Sequence, residues 1–307
     1  MTIRIGTRGS HLALWQAEHL QSLLTEQGSS AELRVIRTTG DKRHDVPLAT
    51  IGGKGLFIKE LEEALERDEI DVAVHSLKDI PSIIPDHFEL AAFLERADPR
   101  DAWLHPYGAM LSELAPGAVV GTSSPRRRAQ LRSRYPHLVV EEIRGNVDSR
   151  IEKTRSGDYH GVVLAKAGLQ RLGRADEITS LFSVDDMVPA AGQGIVAIEI
   201  LGARLDLKPL LAAITHAASA AAAQIERGVL QRFGTLLDCY SSIAVHAVVT
   251  TNTIAVKAFA SQLDGSSPIR TSAEFPATSE RSVIDQVFSK LESEGAMEIF
   301  STGSHGR

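Results

Sequence analysis

Two runs of short strand-like segments alternate with helical segments, and this alternation constrains the fold of the chain more than any other feature. The segments lie at 2–7, after Ser10, at 31–38, 55–71 and 71–76, and then at 118–124, 125–134, 139–145, 146–157 and 161–167. Strands that alternate with helices predict β-α-β units and a parallel sheet in each run. Two similar α/β lobes in turn suggest a cleft between them.

The helix predicted after Ser10 illustrates the local signals. Ala13, Ala17, Leu20 and Leu24 recur at helical spacing and form one apolar stripe, which predicts a helix packed on a sheet. Ser10 itself is a favourable N-cap, because its hydroxyl can accept a hydrogen bond from a backbone N–H of the first turn.

The alternation ends at about residue 217. A helical segment at 218–233 is followed by three strand-like segments at 241–250, 253–261 and 268–275 and by a last helical segment at 279–295. Three consecutive strands flanked by helices predict a small α+β domain with an antiparallel sheet. A length of 307 residues likewise favours two or three domains over one.

Composition excludes several classes of protein. The net charge of -6 and the absence of aromatic residues among clustered arginines argue against nucleic-acid binding. No apolar run is long enough to predict a membrane helix, and the start MTIRIGTRGS lacks the features of a secretory signal. With a single cysteine, Cys239, these features predict a cytoplasmic protein. The eleven histidines show no ligand spacing, so we expect no metal site.

The stretch GTSSPRRRAQL predicts a site for a carboxylate or phosphate. Pro125 suits the first position of a helix, and Ser124 suits its N-cap. Backbone N–H groups at a helix start attract anions, and the neighbouring side chains that could add hydrogen bonds are those of Thr122, Ser123, Arg126 and Arg127. A capped surface helix with solvated arginines is the alternative.

Other cations also follow predicted strands. Ligands bind at the carboxyl ends of strands in open α/β sheets, and arginine is suited to forked recognition of carboxylates. The residues at such positions are Arg8 with Ser10, Arg144, Arg150 and Arg171. Each arginine taken alone is more typical of an ordinary surface position, but the set predicts a polyanion site.

Three further segments carry residues that could take part in catalysis or in ligand binding. Lys78 and Asp79 follow a predicted buried strand, where a carboxylate could stabilise a cation; a loop salt bridge is the alternative. The segment IGGKGLF is not a Walker A motif, and it predicts a loop that brings Lys54 and Phe57 to a ligand. Cys239 in LLDCYSS is, from composition alone, more typical of an inert buried residue.

Eight stretches in a fixed order resemble one family. They are RIGTRGSHLALWQA, GGKGLFIKELEEAL, DVAVHSLKDIP, RADPRDA, GTSSPRRRAQL, IRGNVDSR, LAKAGLQRLG and VPAAGQG. In this combination they resemble the porphobilinogen deaminases, also called hydroxymethylbilane synthases, from about residue 3 to residue 200. The region after 216 resembles that family only in outline.

The resemblance implies a fold. It implies an α/β protein with two lobes like those of periplasmic binding proteins, whose parallel-rich mixed sheets surround a cleft. It also implies a small α+β third domain with a three-stranded antiparallel sheet. The implied domains cover 1–95 with 194–214, then 99–190, and then 216–307.

The resemblance also implies an activity. The family condenses four porphobilinogen molecules head to tail with loss of ammonia, on a dipyrromethane cofactor linked through a thioether to one cysteine, which here is Cys239. The product is linear hydroxymethylbilane for haem biosynthesis, and we expect it to pass to uroporphyrinogen-III synthase. The resemblance further implies a cytoplasmic monomer that binds neither nucleic acid nor membrane.

Matched residue by residue, the resemblance assigns catalysis to Asp79, with Lys78 and Arg8 beside it. Each pyrrole carries an acetate and a propionate, so the growing chain is a polyanion. The residues that match the family's binding positions for substrate and cofactor are Arg126, Arg127, Arg144, Arg150, Arg171, Ser10, Thr122, Ser123, Ser124, Lys54, Phe57, Gln16, Asp41 and Gln193.

The chain departs from the family at two places. Leu237 and Asp238 replace two glycines before Cys239, and Asp238 is expected to disfavour the thiolate. Three consequences are open: slow cofactor loading, a rebuilt loop, or a chain that has lost activity. Lys166 stands where the family often has a small or apolar residue. A non-catalytic two-lobed anion-binding protein is the alternative function, and a dipyrrole attached to Cys239 would distinguish the two.

Overall fold

The computed structural model describes residues 2–36, 58–238, 240–277 and 279–303. The strands are β1 (Thr2–Thr7), β2 (Ser30–Val35), β3 (Val72–Ser76), β4 (Phe88–Phe93), β5 (Asp101–Leu104), β6 (Val119–Gly121), β7 (Val139–Glu141), β8 (Gly161–Ala165), β9 (Ser180–Leu181), β10 (Val196–Leu201), β11 (Ser242–Val249), β12 (Thr253–Ser261) and β13 (Ile269–Pro276). The helices are α1 (His11–Glu26), α2 (Lys59–Glu66), α3 (Pro125–Arg134), α4 (Val147–Arg155), α5 (Lys166–Arg171), α6 (Lys208–Ala213), α7 (Ala217–Phe233), α8 (Glu280–Ser293) and α9 (Ala296–Gly303).

The chain divides into two compact units. Unit 1 consists of Met1–Ala97 and Gly192–Ala223, and unit 2 consists of Asp98–Ala191 and Gln224–Arg307. The three-domain division implied by the sequence stays a prediction.

Unit 1 is built on a five-stranded mixed sheet in the order β2-β1-β3-β10-β4. The strands β2, β1 and β3 run parallel, whereas β10 runs antiparallel to both of its neighbours, β3 and β4. Helix α1 begins after Ser10, whose side chain accepts from the backbone N–H of Ala13, as the sequence predicted. Its residues Ala17, Leu20 and Leu24 are buried in the core. Burying a Leu stabilises the fold by roughly 1.5–3 kcal/mol.

Unit 2 contains a second five-stranded mixed sheet, in the order β7-β6-β8-β5-β9. The strands β7, β6 and β8 are parallel, and β5 is antiparallel to β8 and β9. The mixed character of both sheets is confirmed, with two parallel and two antiparallel pairings in each. Helix α3 has Pro125 in its first turn and Ser124 as its N-cap, which accepts from the N–H of Arg127.

Unit 2 also contains the three-stranded antiparallel sheet that the sequence predicted, in the order β11-β12-β13. Both faces of this sheet are partly covered, because Val245 and the adjacent residues Ala258 and Phe259 are all buried. Helices α8 and α9 follow the sheet in the chain and contribute Val287, Leu291 and other apolar residues to the buried core.

The structure differs from the pattern-based expectations at several element ends. The predicted helix at 55–71 ends at Glu66, and the chain then turns through Asp68, whose φ of 55° no helix allows. The predicted strand at 161–167 ends at Ala165, because Lys166 already begins α5. Four strands, β4, β5, β9 and β10, were not anticipated.

Candidate active site

In unit 1, several of the residues predicted for the site lie where neighbouring parallel strands end. β1 leads into Arg8 and Ser10, and β3 leads into Lys78 and Asp79. Because β1 and β3 are adjacent and parallel, their carboxyl ends lie at the same edge of the sheet. These four residues are therefore brought to one edge, as expected for a ligand site in a sheet of this kind.

Gln16 connects α1 to this edge. Its side chain is buried, and its Nε2 donates a hydrogen bond to Ser76 Oγ over 2.8 Å. Ser76 is the last residue of β3 and directly precedes the turn that carries Lys78 and Asp79. Gln16, a predicted site residue, thus contacts the protein framework under that turn.

A single 3₁₀ turn, Leu77–Asp79, presents the predicted catalytic residues. The N–H of Leu77 donates to the carbonyl of Ile195 over 3.0 Å, and the N–H of Ile80 donates to the carbonyl of Leu77 over 3.1 Å. Leu77 is buried, whereas Asp79 is exposed and Lys78 half-buried. The buried leucine anchors the turn and leaves the Asp79 carboxylate accessible.

The segment that contains Gln193 packs directly against this turn. Gly192 has a φ of +74°, and a Cβ there would lie 2.6 Å from Leu77 Cγ. Gly194 has a φ of +91°, and a Cβ there would lie 2.4 Å from the carbonyl oxygen of Ala97. Only glycine meets both requirements at these two positions. Gln193 between them is buried, so it lies in the packed wall beside the turn.

A buried pair that the sequence did not reveal lies under the same edge. His75 Nε2 is 3.0 Å from Glu199 Oε2, and both side chains are buried. Glu199 Oε1 is also buried and has no hydrogen-bond partner among the described residues. Burial and then the neighbouring Glu199 raise the pKa of Glu62, on α2, above its usual value. Only the position of His75, one residue before the end of a buried strand, signalled an internal partner.

In unit 2, hydroxyl groups gather between β6 and α3. Thr122 is buried, and its Oγ1 accepts from the N–H of Ser124 over 3.2 Å. Ser124 Oγ in turn accepts from the N–H of Arg127 over 3.4 Å, and Ser123 between them is half-buried. These contacts order the start of α3, where the helix dipole favours an anion.

Arg126 and Arg127 are buried, and each is bound to Asp101 on β5. Arg126 Nη1 donates to Asp101 Oδ2 and to the carbonyl of Val188, both over 2.7 Å. Arg127 donates from Nε and Nη2 to Asp101 Oδ1 over 3.0 and 2.7 Å, and from Nη1 to the carbonyl of Val163 over 3.0 Å. Their predicted contact with a ligand stays a prediction; in the structure, the carboxylate that they bind is internal.

Asp101 is the central charge of this cluster. Burial alone would raise the pKa of its carboxyl, but Arg126 and Arg127 hold the pKa well below its usual range. Burial lowers the pKa of Arg126. The sequence did not lead us to Asp101, although an acid that begins the apolar strand DAWL is a signal, because buried carboxylates need partners.

The three remaining arginines differ in their surroundings. Arg144 is paired with Glu142, and Arg150 Nε donates to the carbonyl of Gly145 over 2.8 Å. Arg171 is the last residue of α5, and burial lowers its pKa to about 10. A half-buried guanidinium can bind an anion through charge-assisted hydrogen bonds.

Lys166, the second departure from the family pattern, has a structural explanation. Its Nζ lies 2.7 Å from Asp98 Oδ2, and Arg100 binds the same carboxylate through Nη2 over 2.6 Å. These two cations hold the pKa of Asp98 well below its usual range. Lys166 therefore completes an ion cluster at the start of β5.

Four predicted residues, Asp41, Lys54, Phe57 and Cys239, lie outside the described residues. Next to Cys239, the Asp238 carboxylate accepts from the N–H of Tyr240 over 2.9 Å and from Ser241 Oγ over 3.0 Å. Asp238, where the family usually has glycine, is therefore bound to Tyr240 and Ser241.

In the part of the chain that the structure describes, no cluster of three or more His, Cys, Asp or Glu side chains is arranged to hold a metal ion. The same part contains no helix with the length and apolarity that spanning a membrane requires.

Comparisons with known proteins identify the family. A sequence model described as "Porphobilinogen deaminase, dipyromethane cofactor binding domain" matches residues 3–208. The chain is 44% identical to the porphobilinogen deaminase of Bordetella parapertussis over 302 residues, which cover 97% of this chain and 95% of the relative. It is 43% identical to that of Thiobacillus denitrificans over 300 residues, 97% of each chain.

Among solved structures, a putative methionine-binding lipoprotein of Bacillus subtilis matches 70% of this chain and 90% of its own, with 12% identity and a TM-score of 0.44. The methionine-binding protein MetQ matches 73% and 94%, with 13% identity and a TM-score of 0.46. The assignment depends instead on the family match and the nearly full-length relatives. The chain belongs to the porphobilinogen deaminase family, transferases of tetrapyrrole biosynthesis that carry a dipyrromethane-binding domain.

Proposed function

We propose that Asp79, with Lys78 and Arg8 beside it, carries the chemistry by which this chain joins four porphobilinogen molecules into linear hydroxymethylbilane. The observation that supports this assignment most strongly is the Leu77–Asp79 turn. It exposes a carboxylate at the carboxyl end of a buried strand, while Leu77 and the Gln193 segment fix the backbone beneath it.

The role of Asp79 follows from charge. Porphobilinogen that loses ammonia leaves an electron-poor methylene-pyrrolenine cation. A carboxylate that accepts a hydrogen bond from the pyrrole N–H stabilises this positive charge and can hold the proton released when the carbon–carbon bond forms. Lys78, half-buried on the same turn, and Arg8 at the end of β1 would bind the acetate and propionate groups of the substrate.

The residues of unit 2 fit the dipyrromethane group. Its acidic side chains can be bound by cations and hydroxyl donors, and the half-buried guanidinium of Arg171 is one such cation. When bound, dipyrromethane supplies the covalent starting point for the pyrrole chain. The residues that would hold it or the pyrroles added to it are Arg126, Arg127, Arg144, Arg150, Arg171, Thr122, Ser123 and Ser124.

Cys239 would attach this group through a thioether, because it is the chain's one cysteine. The hydrogen bonds that Asp238 accepts from Tyr240 and Ser241 are consistent with a rebuilt attachment loop. Gln16 and Gln193 would contribute from the unit 1 edge, and Asp41, Lys54 and Phe57 from the segment outside the described residues. We further propose that the protein is a cytoplasmic monomer and that uroporphyrinogen-III synthase consumes its product.

The anion site is tested by replacing Arg171 with Gln. A charge-assisted hydrogen bond contributes roughly 1.5–3 kcal/mol, so we expect kcat/KM for porphobilinogen to fall by about ten- to a hundredfold. Arg174→Gln is the matched control, because Arg174 is another half-buried arginine, three residues away, whose partners are Asp148 and Glu177. Its kcat/KM should stay within about threefold of the parent. If Arg171→Gln and Arg174→Gln lowered kcat/KM by the same factor, the assignment of Arg171 to the anion site would be contradicted.

A further inference from the structure

We propose that the buried hydrogen bond between His75 and Glu199 positions the turn that carries Asp79. This inference rests on the proposed function of Asp79, and it assigns to His75 and Glu199 a role outside direct contact with substrate. Both side chains are buried, with 5% and 0% of their surfaces exposed, and they are joined over 3.0 Å between Nε2 and Oε2.

Stability alone does not explain a pair of this kind. Taking a carboxylate out of water is costly, and well-packed apolar residues in the place of a buried pair are often neutral or stabilising. The cost is increased here because Glu199 Oε1 is buried with no hydrogen-bond partner among the described residues. A polar pair at such a place is better explained by the geometry it imposes on its surroundings.

The strand register shows what that geometry controls. His75 pairs with Ala197 and Ser76 with Val196, so β3 is held against β10 up to the residue before the turn. The next contact is the hydrogen bond from the N–H of Leu77 to the carbonyl of Ile195. The side-chain bond from His75 to Glu199 crosses the same two strands. It therefore fixes the end of β3 laterally, four residues before Asp79.

The opposite end of β3 provides a matched comparison. Asp71, directly before the strand, is buried and binds Arg4 Nε over 2.9 Å and Arg204 Nη1 over 2.7 Å. Like Glu199, it is a buried carboxylate of unit 1 with a cationic or imidazole partner. Glu199 is itself paired with Ala73 near the amino end of β3, but its side chain reaches diagonally to His75, next to the last residue of the strand. Among the described residues, Asp71 makes no such contact with the carboxyl end of β3, because its partners are Arg4 and Arg204. Loss of either carboxylate should affect stability, but only loss of Glu199 should affect the turn.

The experiment compares Glu199→Leu, Glu199→Gln and Asp71→Leu in the full chain. In Glu199→Leu we expect kcat to fall about ten- to a hundredfold with little change in KM, because a small misplacement of a reacting group can cost about a hundredfold. In Glu199→Gln the amide oxygen still accepts from His75, so kcat should stay within about threefold of the parent. Asp71→Leu should keep kcat within about threefold even where its Tm is lower.

Amide hydrogen exchange supplies a readout that does not depend on turnover. Exchange at the N–H groups of Leu77 and Ile80 should be at least about tenfold faster in Glu199→Leu and unchanged in Asp71→Leu. If Glu199→Leu does not fold, the double variant His75→Leu, Glu199→Leu is measured in its place. The double variant removes both polar side chains, so neither is left buried without its partner.

Normal kcat and unchanged amide exchange in the Glu199→Leu variant or the double variant would overturn the proposal. The proposal would also fail if Asp71→Leu changed kcat and amide exchange as much as Glu199→Leu does. Failure of the proposed function is a separate outcome. It would show as near-normal turnover of Asp79→Asn, whereas an inactive Asp79→Asn beside a fully active Glu199→Leu would reject only the positioning role.

Discussion

The Asp79→Asn variant is expected to turn over porphobilinogen about a thousandfold more slowly than the parent protein, with its fold intact. A carboxylate about 4 Å from a developing cation contributes on the order of 4 kcal/mol at an effective dielectric constant near 20, which corresponds to roughly three powers of ten in rate. Because Asp79 is exposed on its turn, the amide should not disturb the packing. The measurements are the rate of ammonia release and the thermal unfolding midpoint.

Asp86→Asn is the matched control for this prediction. Asp86 is another exposed aspartate of unit 1, seven residues further along the chain. Its loss should leave turnover unchanged, because it lies outside the Leu77–Asp79 turn. Turnover of Asp79→Asn within tenfold of the parent would remove Asp79 from the mechanism.

The second large effect concerns stability. Asp101→Ala should lower the free energy of unfolding by about 3–5 kcal/mol, because it leaves the guanidinium groups of Arg126 and Arg127 buried without their carboxylate. Urea unfolding measures the change. Asp186→Ala removes a half-buried partner of the exposed guanidinium of Arg134 and should cost no more than about 1 kcal/mol. If Asp101→Ala lowered the free energy of unfolding by no more than Asp186→Ala does, the ion cluster of Asp101, Arg126 and Arg127 would not stabilise the fold as proposed.

The same cluster predicts a direction of pH dependence. The two arginines hold the pKa of Asp101 in the folded protein below the value of about 3.9 that an unfolded aspartate has. The stability that Asp101 contributes is therefore fully present above about pH 4 and is lost as the pH falls towards the folded-state pKa. Asp101→Asn should unfold with a weaker dependence on pH below about 4 than the parent.

Features set by neighbours in the chain were predictable from the sequence. Helix α3 begins at Pro125 with Ser124 as its cap, and α1 begins after Ser10, because capping depends on residues within one helical turn. The three strands of the antiparallel sheet were predictable for a similar reason, since each is a short run rich in apolar and β-branched residues and is separated from the next by a short polar segment.

Features set by distant pairings were not predictable in this way. Strand β10 is antiparallel to β3 although it follows it by more than a hundred residues, and no local period encodes that return. The partner of His75 is 124 residues away in sequence. Arg126 and Arg127 illustrate the same limit. Their place at a helix start predicted a carboxylate or phosphate ligand, and only the packed sheet shows that both bind the internal carboxylate of Asp101.

The central claim is that Cys239 carries a dipyrrole on which this chain builds its product, and the intact mass of the denatured protein tests it most directly. The parent protein should show the polypeptide mass plus one covalently bound dipyrrole, either as purified or after incubation with porphobilinogen. Cys239→Ser should show the bare polypeptide mass under both conditions. A parent protein that stays at the bare mass after incubation, or a Cys239→Ser variant that carries the dipyrrole, would contradict the account.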